Sequence, residues 1–78
     1  MVFLFSSRLK PLRQSMNLAQ EQLACLLGVD RSTISSYESN MRQPSLDTLW
    51  RIADVFGVST DYLLGRTNHH LPDHIFDL

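Results

Sequence analysis

Apolar positions recur at helical spacing through the first 65 residues of the chain, in blocks separated by polar turns. Phe5, Leu9, Leu12 and Met16 stand three or four apart, which predicts a helix over 6–15 with these side chains in a buried stripe. Pro11 falls about one turn into it, where it costs one backbone bond and bends the axis. Leu23, Ala24 and Leu27 make one apolar face of a second helix over 20–27. Gly28 can take a positive φ cheaply and close that helix, and Val29 folds back toward the core. Asp30 is a good N-cap for a third helix over 31–39, whose buried face carries Ile34 and Tyr37. Asn40 suits a left-handed C-cap, and 41–44 form a loop. Ser45 caps a fourth helix, with Asp47 at its positive end and Gly57 as its stop. Leu46, Leu49, Trp50, Ile52, Ala53 and Phe56 are assigned to its inner side, Trp50 and Phe56 as core. Ser59 caps a short fifth helix over 60–64, ended by Gly65. There is no convincing strand, no repeat and no low-complexity segment, so the expected fold is all-α with five helices.

The pattern breaks at RTNHHLPDHIFDL. Pro72 interrupts it, yet Leu71, Ile75, Phe76 and Leu78 are apolar, which a free disordered tail does not usually carry. The expected organisation is a domain over 1–65 and a tail over 66–78. A domain with its own five-helix core does not need the tail, so a second subunit is the preferred place for it to pack.

Composition narrows the function classes. A chain of 78 residues allows one small domain and one modest core, and 44% apolar residues favour folding over disorder. No apolar run approaches the roughly 18–20 residues that span a bilayer. MVFLFSS is too short for a signal peptide and lacks its basic start, so a cytoplasmic location is expected. The single cysteine, Cys25, permits no internal disulfide, and no CxxC or Cys/His zinc spacing occurs. Cys25 and Leu26 fall where the second helix faces water; a neutral exposed pair is the plainer reading and a partner-binding spot the sharper one. His69, His70, Asp73 and His74 match no metal site with a firm geometry, and Pro72 breaks any helix that would align them. Without a nucleophile elbow or a Gly-rich phosphate loop, no enzyme and no cofactor are expected.

The net charge of −1 counts against a purely electrostatic nucleic-acid binder but not against a specific one. Arg8, Lys10, Arg13, Arg31, Arg42 and Arg51 lie in the first two thirds, whereas Asp54, Asp61, Asp73 and Asp77 lie in the last third. This reads as an N-terminal functional face and a more acidic far side. Within LAQEQLACLLGVDRSTISSYE, two short helices meet at Gly28 with the spacing of a helix-turn-helix, whose second helix enters the major groove of DNA. The third helix leaves Arg31, Ser32, Ser35 and Ser36 near its start or on its outer face. Small polar side chains let a backbone approach base edges, and arginine can grip guanine with two bonds. Serine is a mediocre helix former, so a face chosen only for stability would carry Glu, Lys and Ala instead.

The pieces RLKPLR, LAQEQLA, LGVDRSTISSYE, RQPSLDTLWRIADVFGVS and DYLLG together resemble the phage-repressor and Cro-like helix-turn-helix family of small bacterial regulators. The resemblance runs from about Phe5 to Gly65, with the pieces in order and correctly spaced. It implies a compact five-helix, lambda-repressor-like domain that binds operator DNA, commonly as a dimer, and represses or activates transcription. By the same resemblance, Gln20 meets a phosphate and braces the recognition helix. Arg31, Ser32 and Ser36 match base-reading positions, with Ser35 as an additional contact. Thr33, Ser39 and Arg42 match places where the DNA backbone is held. Arg13 and Glu38 match an ion pair that links the first helix to the end of the third. Two positions depart from the family. Ala19 stands where Ser, Thr or Asn is usual and takes an N-cap from the second helix. Asp30 stands where Ser or Thr is more usual; it still caps, but it repels nearby phosphates.

The sequence therefore reads as a sequence-specific regulator of double-stranded DNA, a repressor before an activator, working as a homodimer on a palindromic operator. The rival reading is a protein-interaction module on the same fold, such as the antitoxin of a toxin–antitoxin pair. The neutral Cys25/Leu26 patch, the acidic last third and the tail would serve it.

Overall fold

The structure is a computed structural model that describes residues 4–69. The tail residues Leu71, Ile75, Phe76 and Leu78, and all of the histidine cluster except His69, lie outside the described residues. Within these, five helices follow one another: α1 (Phe5–Ser15), α2 (Gln20–Leu27), α3 (Arg31–Glu38), α4 (Leu46–Phe56) and α5 (Thr60–Leu64). The sequence reading placed each within one residue of these bounds. No strand occurs among the described residues. α2 packs on α3; α1 lies against α3 and α5; α4 lies against α2 and α5. Phe5, Leu9, Leu23, Ile34, Ile52 and Leu63 meet in the middle as the largest fully buried side chains. Tyr37 meets Phe5 edge-on, with ring centroids 5.9 Å apart.

The helix ends account for the turns. The Ser45 hydroxyl accepts from the Thr48 amide at 3.2 Å, and the Ser59 hydroxyl from the Tyr62 amide at 2.9 Å. Gly28 closes α2 with a φ of +71°, which delivers the chain directly into α3. Asn40 takes the expected left-handed conformation, and so does Asn17, which the sequence reading passed over. Pro11 is accommodated on the exposed side of α1, where the amide it lacks would have bonded the Ser7 carbonyl.

Several expectations need correction. Asp30 holds the N-cap position of α3, but its side chain makes no cap hydrogen bond. Ala19 has no oxygen with which to cap α2. However, the Gln22 Oε1 accepts from the Ala19 amide at 2.7 Å, supplying the reciprocal half of a capping box. Leu46 and Trp50 do not face the core: they are 84% and 55% exposed. The inner stripe of α4 runs through Leu49, Ile52 and Ala53. Trp50 follows Leu49 by one residue, so it is turned about 100° away along the helix. Leu46 begins the helix, ahead of the turn that the core covers. Met16 is exposed because α1 ends at Ser15. Arg8, counted with the functional face, is spent internally. Its guanidinium donates to the carbonyls of Tyr62 at 2.6 Å and Thr67 at 2.8 Å and to Asn68 Oδ1 at 2.9 Å, and lies 4.2 Å above the Tyr62 ring centre. With the Leu4 amide donating to the Leu64 carbonyl, this ties the two ends of the described chain together.

Candidate nucleic-acid interface

The candidate interface is the outward side of α3 with the elements that hold it. α3 is anchored from beneath by Ile34 and Tyr37, both buried. Their spacing turns Arg31, Ser32 and Ser35 to the exposed side, while Ser36 is half-buried. Ser39 caps the end: its hydroxyl donates back to the Ser35 carbonyl at 2.9 Å. The carbonyl of Ser36 accepts from the amides of Met41, at 2.8 Å, and Arg42, at 3.3 Å, which fixes the start of the loop against the helix.

A buried network sets the position of α3. Arg13 donates through Nε to Glu38 Oε2 at 2.6 Å and through Nη2 to Glu38 Oε1 at 3.2 Å, and its Nη1 donates to the Leu18 carbonyl at 2.7 Å. The two side chains are only 10% and 6% exposed. This is the ion pair that the sequence resemblance implied. A buried pair is tolerable when its remaining hydrogen-bonding capacity is satisfied, and here no buried side-chain nitrogen or oxygen among the described residues lacks a partner.

The network extends outward through Gln20, the first residue of α2. Its Nε2 donates to Glu38 Oε1 at 3.1 Å, and its Oε1 accepts from Arg31 Nη1 at 3.3 Å. An exposed arginine at the start of α3 is thereby held from one side, with the rest of its fork free to donate. The sequence reading named Gln20, Arg31, Arg13 and Glu38 separately. The bonds from Gln20 to Glu38 and to Arg31 join them, and no spacing along the chain announces those bonds.

A second group gathers beside the first turn of α3, on the side of the turn that precedes it. Arg42 Nη1 donates to Thr33 Oγ1 at 3.4 Å; Thr33 itself is buried and Arg42 exposed. Both line an open groove between the Gly28–Asp30 turn and the start of α4. Gln43 and Thr48, which the sequence reading did not single out, line the same groove. Their signal would have been position, since Gln43 adjoins Arg42 and Thr48 lies in the first turn of α4. The groove is open and polar; Arg42 is its cationic group and Asp30 its acidic one. No cluster of three metal-binding side chains occurs among the described residues, and no helix there is long and apolar enough to cross a membrane.

Comparison with known proteins identifies this arrangement. The helix-turn-helix family profile matches residues 9–63, from α1 into α5. The chain is 46% identical over 59 residues to the HTH-type transcriptional regulator AnsR of Bacillus subtilis, covering 76% of this chain and 51% of that protein. It spans between 46% and 62% of the length of the first curated relatives it matches. Among solved structures, the P22 c2 repressor in complex with a synthetic operator superimposes with a TM-score of 0.74 at 27% identity, covering 77% of this chain and 91% of that one. Hydroxypropylphosphonic acid epoxidase from S. wedmorenis also superimposes, with a TM-score of 0.71 at 33% identity, but the match covers only 32% of that enzyme against 77% of this chain. The shared fold alone therefore does not choose between regulator and enzyme, and the side chains on α3 must carry the functional argument. By the extent of the match and the placement of its residues, the chain belongs to the helix-turn-helix family of phage-repressor and Cro-like type.

Proposed function

We propose that the chain is a sequence-specific, double-stranded-DNA-binding transcriptional regulator, a repressor, which reads the major groove with α3. The observation that carries this reading is the outward side of α3: one arginine steered by Gln20, surrounded by serines, on a helix braced by a buried ion pair. Arg31, Ser32 and Ser36 read base edges, and Ser35 adds a contact. Gln20, Thr33, Ser39 and Arg42 hold the phosphate backbone in register; such contacts position the protein without carrying sequence information. The likeness to a regulator and to a repressor solved on its operator supports the same reading. The chain acts as a homodimer on a palindromic site, in the cytoplasm where the DNA is, with no catalytic step and no cofactor.

Arg31→Ala tests the assignment of the base-reading group. A good two-bond contact to guanine is worth roughly 1–3 kcal/mol of discrimination. The variant is expected to lose preference at one base position of each half-site and to keep the rest of its profile. Equal weakening on all sequences would make Arg31 a phosphate contact instead.

A further inference from the structure

We propose that the exposed edge of α4 is where a second copy of this chain docks, the two helices packing antiparallel about a two-fold axis. This names the surface used by the homodimer of the preceding reading and rests on it. Leu46 and Trp50 stand one turn apart on α4, 84% and 55% exposed, and Met41 in the loop that feeds the helix is 77% exposed. Scattered apolar residues on a surface need no explanation, but a leucine and a tryptophan aligned on one helix edge form a seam. The seam is separate from the groove beside α3, which neither Leu46 nor Trp50 lines.

The charges beside the seam select the occupant. Asp47 and Arg51 lie on the same flank of Leu46 and Trp50, are both exposed, and make no ion pair with any described residue, even though they stand one turn apart. In an antiparallel helix pair, equivalent flanks face each other. Setting Leu46 against Trp50 of the second copy brings Asp47 to within about two residue rises, ~3 Å along the axis, of register with the second copy's Arg51, an offset that the arginine side chain spans, and the two-fold axis repeats the contact. A parallel pair would bring opposite flanks together and lose both contacts. The surface is thus self-complementary in charge as well as apolar. Two 11-residue helices with so few large side chains fall below the standard interface of about 1,600 Å², so the free dimer is weak and is completed on DNA.

Sedimentation equilibrium of the full chain tests this, with Trp50→Lys, Asp47→Arg, Arg51→Asp and the double charge reversal. Thermal melts confirm that each variant is folded, and Leu46→Lys replaces Trp50→Lys should the latter unfold. The parent is expected to dimerise in the micromolar range and Trp50→Lys at least tenfold more weakly. Each single reversal creates two like-charge contacts and weakens the dimer severalfold, whereas the double reversal restores it. A parent that stays monomeric, a Trp50→Lys variant as dimeric as the parent, or a double reversal no tighter than the singles would each overturn the proposal. Dimerisation lost on removal of residues 67–78 but kept in all α4 variants would place the contact in the tail and overturn it too. Binding to an isolated half-site needs only one copy. Its retention in Trp50→Lys, with loss of cooperative filling of two half-sites, supports the proposal. Its failure in the parent would count against the DNA reading and leave the sedimentation result standing by itself.

Discussion

Glu38 accepts from two of the three Arg13 nitrogens, Nε and Nη2, and from the Gln20 amide while its side chain is only 6% exposed. Such a carboxylate adds little net stability as a pair, because its desolvation offsets much of the attraction, but leaving either partner alone is costly. Glu38→Ala is therefore expected to lose about 3–5 kcal/mol. Replacing both members, as Arg13→Met with Glu38→Leu, should lose much less, since no charge is left buried and unpaired. Chemical denaturation of the three variants measures this; a double variant as unstable as Glu38→Ala would mean that the pair contributes net stability. The same bonds reach Arg31 through Gln20, so Glu38 also fixes where the arginine of α3 can point.

At the scale of the helices, the turns differ in how much room they leave. Gly28 and Gly65 both have positive φ, +71° and +82°. A side chain in that conformation costs roughly 1–2 kcal/mol. At Gly28 an added Cβ meets nothing within 4 Å, whereas at Gly65 it falls 2.6 Å from Leu4 Cγ and 2.8 Å from Leu4 Cβ. Gly65→Ala should thus be clearly more destabilising than Gly28→Ala, and parallel thermal melts give the comparison. Equal losses would show that Leu4 moves aside freely. These elements also mark what was legible in the sequence. Caps such as Ser45 and Ser59 and stops such as Gly28 act within a few residues, so local chemistry revealed all five helices. Trp50 was misread because residue type outweighed angle: its size suggested the core, while its place one residue after Leu49 turned it outward. Arg8 was misread because its partners, Tyr62, Thr67 and Asn68, are more than fifty residues away in sequence. The candidate site was named almost completely from α3 and the family resemblance, but the bonds that join Gln20 to Arg31 and Arg42 to Thr33 cross between elements and needed the fold.

For the whole molecule, a chain with a net charge of −1 has to derive affinity from where its cations stand rather than from their number. Arg8 and Arg13 are consumed in holding the fold, which leaves Arg31 and Arg42 as the charged groups of the proposed interface. On the proposed reading, two such cations per copy give a small electrostatic contribution, and specific binding is expected to draw on a second half-site. In a two-fold dimer whose recognition helices enter successive major grooves, those half-sites lie about 34–36 Å apart, close to one turn of the duplex. Selection of bound sites from a pool of random duplexes puts this to the most direct test. The expected result is an inverted repeat with one fixed centre-to-centre spacing near a helical turn and a guanine preference in each half. A bound pool indistinguishable in sequence from the starting pool would contradict sequence-specific reading by α3.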